Sequence, residues 1–314
     1  MRGNTMLATG REAELMSEGV STDTVLAIDI GGTKILGALV SGTAIEEAVD
    51  MPTPASGDPS VWIADLLERA PDWRGRYSRV GAAVTGIVEN GRWSALNPKT
   101  LSIPPDYPLT EVLAELAGVP AMALNDAQAA AWGEFDLGAG QGTRNCVFLT
   151  ISTGIGGGVV AEGQLLKGMA GHFGQFRSDI ADNTPIENRA AGRWMAEAAR
   201  SQGHATDARG VFKAASEGEG WADSIIALSA HRIATLCANI QLGLAPEKII
   251  IGGSIGLAPG FIARIAASFS DLPSRQRPTL VAAQLGGRAG IVGIARIALS
   301  SEGNTTNQRE NNHA

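Results

Sequence analysis

The chain has 314 residues, 44% of them hydrophobic and only 18% charged, with a formal net charge of −7. That composition excludes a disordered chain, and the length allows two domains or one large one with a sizeable core. An acidic balance without a basic run argues against nucleic acid or an anionic membrane surface, and two cysteines, Cys146 and Cys237, exclude a disulfide framework and a multi-cysteine zinc site and fit a reducing cytoplasm.

Residues 1–23 are polar and carry Glu12, Glu14 and Glu18 with no apolar signal core, so they read as a loose tail. The first strand is expected at 25–30, VLAIDI, closed by Gly31-Gly32-Thr33, and a second run at 35–40 returns as a hairpin. Trp62, Leu66 and Leu67 give helical spacing over 60–70. A buried strand follows at 79–85 and a short helix at 111–116. A strand at 121–124 leads into Asn125-Asp126 and a helix to about 135.

From residue 145 the series starts again. A strand at 146–151 ends in Ser152-Thr153-Gly154 and Gly156-Gly157-Gly158, with a return strand from Val159. Helices are expected at 187–200 and 222–244, and a strand at 248–251 ends in Gly252-Gly253-Ser254. A helix at 259–269, a strand at 279–283 and a last helix at 289–299 complete the series; 301–314 read as a second loose tail. No apolar run reaches the ~18 residues of a membrane-spanning helix. Strands and helices alternate, which implies an α/β fold with sheets covered by helices. The two halves echo each other, so a duplicated lobe with a cleft between the copies is expected.

Asp29-Ile30-Gly31-Gly32-Thr33-Lys34 sits at a strand end. Glycines there let backbone N–H groups approach an anion, Thr33 adds a hydroxyl and Lys34 a charge. Asp29 would repel phosphate, so it suits a Mg²⁺ or metal-water ligand. A capped hairpin turn is the other reading of this hexapeptide taken alone. Ser152-Thr153-Gly154-Ile155-Gly156-Gly157-Gly158 repeats the chemistry, and Gly252, Gly253 and Ser254 supply a third strand-end turn. Neither a Walker A spacing nor a dinucleotide fingerprint is present. Three such turns together point to nucleotide binding. Asn125 and Asp126 open a helix, where either could cap. A carboxylate held there could also accept a hydroxyl proton during phosphoryl transfer.

The stretches AIDIGGTK, VTGIVENGRWSALNP, ALNDAQAAAWGE, LTISTGIGGGVVAEGQLLKGMAGHFGQ, PIENRAAGR, IIIGGSIG and LGGRAGIVGIA run in order from about 24 to 298. As a set they resemble the ROK family of sugar kinases, within the actin-like ATPases of duplicated ribonuclease-H-like lobes. LNDAQAAAWGE and GMAGHFGQ are most similar to its bacterial N-acetylmannosamine kinases. The resemblance implies a small lobe at 24–123, completed by a helix at 289–300, and a large lobe at 124–288. It implies ATP and Mg²⁺ as requirements, a hexose 6-hydroxyl as acceptor, and Asp126 as base. Asn125, Asn97, Gly86 and Glu187 would surround the sugar. A homodimer is the family expectation. N-acetylmannosamine is the first choice of substrate, and glucose or N-acetylglucosamine the alternative.

Two departures stand out. The family's zinc loop binds metal through one histidine and three cysteines; here the histidine position is Gln175 and the loop at 176–186 has no cysteine. No zinc is therefore expected, and hydrogen bonds from Arg177 and Asp182 are expected to hold the loop instead. His172 stands where most members have glutamate, and a histidine can donate or accept at a sugar hydroxyl. The family also includes transcriptional repressors with an N-terminal helix-turn-helix domain. About 23 residues precede the first strand, too few for that domain. A catalytically silent sugar sensor is the remaining alternative. Cys146 and Cys237 are expected as core residues, His204 and His231 as surface or capping groups, and His313 in the loose tail.

Overall fold

The structure, a computed structural model, describes residues 23–96, 101–177 and 183–300. The two expected tails, apart from Asp23, lie outside the described residues, as do Asn97 and Asp182.

Two five-stranded sheets are built on one plan. In the first, β1 (Thr24–Ile30), β2 (Lys34–Ser41) and β3 (Ala44–Pro52) form an antiparallel meander. Helix α1 (Pro59–Glu68) returns the chain to β4 (Arg79–Val84). A small hairpin of β5 (Ile87–Glu89) and β6 (Arg92–Ser94) and helix α2 (Leu109–Ala117) precede β7 (Ala121–Asn125). Both β4 and β7 run parallel to β1, giving the order β3-β2-β1-β4-β7, and helix α3 (Asp126–Leu137) follows.

The second sheet repeats this plan. Strands β8 (Cys146–Ile151), β9 (Ile155–Ala161) and β10 (Gln164–Leu165) form the meander. Helices α4 (Glu187–Ala190), α5 (Gly192–Ser201), α6 (Ala208–Ser216) and α7 (Gly220–Leu244) lead to β11 (Lys248–Gly252). Helix α8 (Phe261–Ala267), β12 (Leu280–Ala282) and α9 (Ala289–Ser300) close the chain, and the sheet order is β10-β9-β8-β11-β12.

Both faces of each sheet are covered, which is why the central strands read as continuous apolar runs. Along β1, Val25 and Ala27 face an inner core while Leu26, Ile28 and Ile30 face an outer one, the period-2 alternation of a strand. The inner core is a helix layer between the sheets. Helix α9 packs on β1 and β4 of the first sheet, and α3 on β8 and β9 of the second. Each half thus lends its last helix to the other half's sheet. The two helices cross at backbone distance: a Cβ added to Gly293 would lie 1.9 Å from the Ala129 carbonyl oxygen. Nothing larger than glycine fits that crossing without separating the helices.

Four differences from the sequence reading have physical reasons. Strand β3 has no apolar run, because it is an exposed edge carrying Glu46, Glu47 and Asp50. The return strand starts at Ile155, not Val159, and Gly156–Gly158 are strand residues. A Cβ on Gly158 would sit 2.5 Å from Ala131 Cβ, so these glycines let α3 lie on β9. The helix expected at 187–200 breaks at Ala191, whose ψ of 173° is extended. Helix α6 was not foreseen. In addition, α7 is long and apolar enough to cross a membrane by length and composition, against the expectation that no segment is. Its Ile225, Ile226, Ile233, Leu236 and Ile240 are buried in the core outside the second sheet.

Candidate active site

Two cavities lie side by side between the sheets, and Asp126, Ala127 and Thr150 line both. The first, about 340 Å³, is bounded by Gly31, Gly32, Thr85, Gly86, Leu96 and Asn125, and by Ser152, Thr153, Gly154, His172, Gln175 and Glu187. The second, about 460 Å³, is bounded by Asp29, Gly252, Gly253, Ser254, Gly286, Gly287 and Gly290.

The junction of β7 and α3 sets the centre of the site. Asn125 is the helix cap: its Oδ1 accepts from the amides of Ala127 at 3.0 Å and Gln128 at 3.2 Å. Its Nδ2 donates to the Gly86 carbonyl at 2.8 Å. With the cap supplied by Asn125, the Asp126 carboxylate is left at the wall shared by the cavities, where its Oδ1 accepts from the Ala127 amide at 2.8 Å. Burial pushes the Asp126 carboxyl above the usual carboxylate range; the Ala127 amide first, and then the neighbouring His172, work against that rise. Asp29, near the end of β1, is pushed up to about 7 by burial first and by the Asp126 charge second, with Lys34 opposing. Two carboxylates thus share one poorly hydrated space.

His172 Nε2 lies 3.3 Å from the Gly86 carbonyl. A carbonyl only accepts, so Nε2 is the protonated nitrogen in that contact. Nδ1 is buried with no partner among the described residues. Gln175 Nε2 donates to Glu187 Oε1 at 2.7 Å, which ties the His172 segment to α4. Arg177 donates to the Gln175 carbonyl at 2.8 Å and to Asn183 Oδ1 at 2.7 Å. The Ile186 amide donates to the Phe176 carbonyl at 2.8 Å. Arg177 therefore spans the cysteine-free loop. Among the described residues, no three His, Cys, Asp or Glu side chains are grouped closely enough to hold a metal ion.

The expected nucleotide residues divide between the two cavities. Asp29, Gly252, Gly253 and Ser254 line the second, while Gly31, Gly32, Ser152, Thr153 and Gly154 line the first, beside Gly86, Asn125, His172, Gln175 and Glu187. Lys34 and Thr33 line neither cavity; both are exposed, and Lys34 pairs with Asp50 at 3.6 Å. Sequence reasoning missed Thr85, Leu96, Thr150, Gly286 and Gly287. The Gly286-Gly287 pair is visible as a glycine pair in LGGRAG; Thr150, inside an apolar strand, carried no signal. Cys146 and Cys237 are buried, as expected. His204, expected as a surface or capping group, is half-buried, and its ring stacks on Trp221 at 3.8 Å and 8°.

A model of the ROK family matches residues 25–301. The chain belongs to the ROK family. One relative of this ROK chain is the bifunctional enzyme NanE/NanK of Brucella melitensis, 47% identical over 278 residues. That match covers 87% of the chain and 54% of the relative, so the chain spans about half of that protein's length. An N-acetylmannosamine kinase of Escherichia coli is 38% identical over 286 residues, covering 88% of the chain and 98% of the relative. A solved ROK family glucokinase from Streptomyces griseus, in complex with glucose and AMPPNP, superposes with a TM-score of 0.75 at 26% identity, over 88% of this chain and 99% of that one. The ROK chain has the actin-like architecture of duplicated lobes.

Proposed function

We propose that the protein transfers the γ-phosphoryl group of ATP to the 6-hydroxyl of a hexose, with N-acetylmannosamine as the acceptor. The observation that carries this reading is the position of Asp126 at the wall shared by two cavities. A sugar in the first cavity and a triphosphate in the second would meet at that carboxylate. The name of the Escherichia coli relative supports N-acetylmannosamine. Glucose and N-acetylglucosamine are the alternative acceptors, since the Streptomyces griseus glucokinase shares the fold.

The ionised Asp126 carboxylate takes the proton of the hydroxyl as that oxygen attacks phosphorus. In a loose transition state, holding the hydroxyl in line matters more than strong basicity. Asn125, Gly86, His172, Gln175 and Glu187 orient the sugar, with Asn97 as a further contact. Backbone amides of the three strand-end turns, at Gly32, Thr153-Gly154 and Gly253-Ser254, supply donors for the phosphate oxygens, while those of Gly31 and Ser152 donate to the carbonyls of Lys34 and Gly154 and hold the turns. The small lobe, 24–123 with the last helix, and the large lobe, 124–288, close over the substrates and exclude water.

Mg²⁺ fits this donor set. Asp29 and Asp126 are oxygen donors whose buried charges repel each other, and a hard cation relieves both penalties. Mg²⁺ needs only one or two carboxylates, because phosphates and water complete its shell. Asp29 would hold the ion, directly or through water. When bound, Mg²⁺ neutralises charge on the transferred phosphate. No zinc is part of the reading, since Arg177 spans the loop that zinc holds in other members. The same reading places the enzyme in the cytoplasm, in the catabolism of sialic acids. It also makes it a homodimer, with exposed Leu228, Leu242 and Leu244 of α7 available to a second copy.

The test is ADP release with Mg·ATP against N-acetylmannosamine, N-acetylglucosamine, glucose and mannose. Fastest turnover on N-acetylmannosamine supports the reading. Fastest turnover on glucose keeps the kinase and overturns the substrate; binding of a sugar without turnover on any overturns the kinase.

A further inference from the structure

Helix α3 carries two buried polar side chains besides the Asn125–Asp126 junction. Gln128 and Glu134 are both fully buried. Neither touches the cavities, and a helix interior position of this kind normally takes an apolar residue. Their partners explain their presence. Gln128 Nε2 donates to the carbonyls of Gly168 at 2.9 Å and Ala170 at 2.7 Å. Those carbonyls belong to the turn that ends in His172 at the first cavity. Glu134 accepts from the Gln284 amide at 3.0 Å, the Leu285 amide at 2.7 Å and the Ala139 amide at 3.0 Å. Residues 284 and 285 begin the turn that supplies Gly286 and Gly287 to the second cavity.

We propose that Gln128 and Glu134 are positioning residues through which α3 aligns Asp126 with both binding turns. One rigid helix then carries the base at its first residue, the tether of the sugar-side turn two residues on, and the tether of the nucleotide-side turn near its other end. The glycine crossing with α9 holds that helix at a set depth. Gln128 acts on the sugar side alone and Glu134 on the nucleotide side alone. This assignment of sides rests on the function proposed above; the tethering itself does not.

Gln128→Met keeps length and removes the two donors. Glu134→Gln keeps shape and turns an amide NH₂ toward backbone donors. Loss of such hydrogen bonds predicts a rise of about tenfold in KM for the sugar in Gln128→Met, with KM for ATP unchanged. Glu134→Gln predicts the reverse split. A purely structural role would move both constants together or neither, and either result overturns the proposal. Hydrogen exchange without substrates reads the tethers even if no sugar is phosphorylated. Amides of 168–173 should exchange faster only in Gln128→Met, and those of 284–287 only in Glu134→Gln. Should Glu134→Gln fail to fold, Gln128→Met decides alone: unchanged exchange at 168–173 overturns the proposal. Correct exchange changes with no turnover in the wild-type protein would instead place the failure in the function.

Discussion

Asp29→Asn should make the ligand-free protein more stable while weakening catalysis. The Asp29 carboxyl is raised from an ordinary 3.8 to about 7, by burial and then by the Asp126 charge. The folded state therefore holds on to a proton that the unfolded state releases. Between about pH 4 and pH 7 stability falls as pH rises, because the native state binds more protons. Below about pH 4 the carboxyl is neutral in both states and the penalty is absent. At pH 7 the full shift is worth about 4 kcal/mol, and water reaching a carboxyl in an open cavity wall reduces that to about 2 kcal/mol. In a chain of this size about 2 kcal/mol raises Tm by about 3 °C. The assay is thermal and urea unfolding of both proteins in EDTA, at pH 4 and pH 7.5. The gain should be present at pH 7.5 and gone at pH 4. Adding Mg·ATP should stabilise the wild-type protein more than the variant, and kcat of the variant should be at least about tenfold lower, given the charge stabilisation a metal supplies. A variant less stable at pH 7.5, or one with an equal gain at both pH values, would refute the reasoning.

Three further outcomes follow from separate parts of the molecule. Gly293→Ala should destabilise by about 3 kcal/mol, because its Cβ would lie 1.9 Å from the Ala129 carbonyl and the helices must separate; urea unfolding at unchanged spectroscopic helicity checks this. Burial pushes the Cys146 thiol up to about 11 and the Cys237 thiol up to about 12. Both should resist iodoacetamide at pH 8 in the native protein and react readily in urea, as mass spectrometry would record. Treatment with a zinc chelator followed by excess Mg²⁺ should leave activity and Tm unchanged, whereas Arg177→Ala should raise the sugar KM several-fold by releasing the Gln175 carbonyl and Asn183.

Much of the fold was legible because each half alternates between buried strands and helices. VLAIDI and CVFLTI read as strands for a single reason: both of their faces are covered. What escaped detection depended on partners far away in sequence. Strand β3 carries charges at an exposed edge, so no apolar pattern marks it. Gly156–Gly158 looked like a phosphate turn, yet they are strand residues thinned for α3, a packing need that only the tertiary structure reveals. Lys34 looked like a phosphate ligand because it follows two glycines. The register of β2 against β3 instead sends it toward Asp50. At the site, Asn125 and Asp126 were each plausible caps. The carbonyl of Gly86 and the amides of Ala127 and Gln128 separate their roles. Gln128 and Glu134 gave no signal, since a polar residue in a helix is ordinarily at the surface.

The central claim is that Asp126 takes the proton from the sugar hydroxyl at the meeting of the two cavities. Single-turnover transfer from Mg·ATP to N-acetylmannosamine, measured for the wild-type protein and Asp126→Asn with sugar binding followed in parallel, tests it most directly. The variant should bind sugar and nucleotide within a few-fold of the wild type and transfer phosphate at least about a hundredfold more slowly, the typical contribution of a positioned base. Transfer at the wild-type rate by Asp126→Asn would contradict the claim.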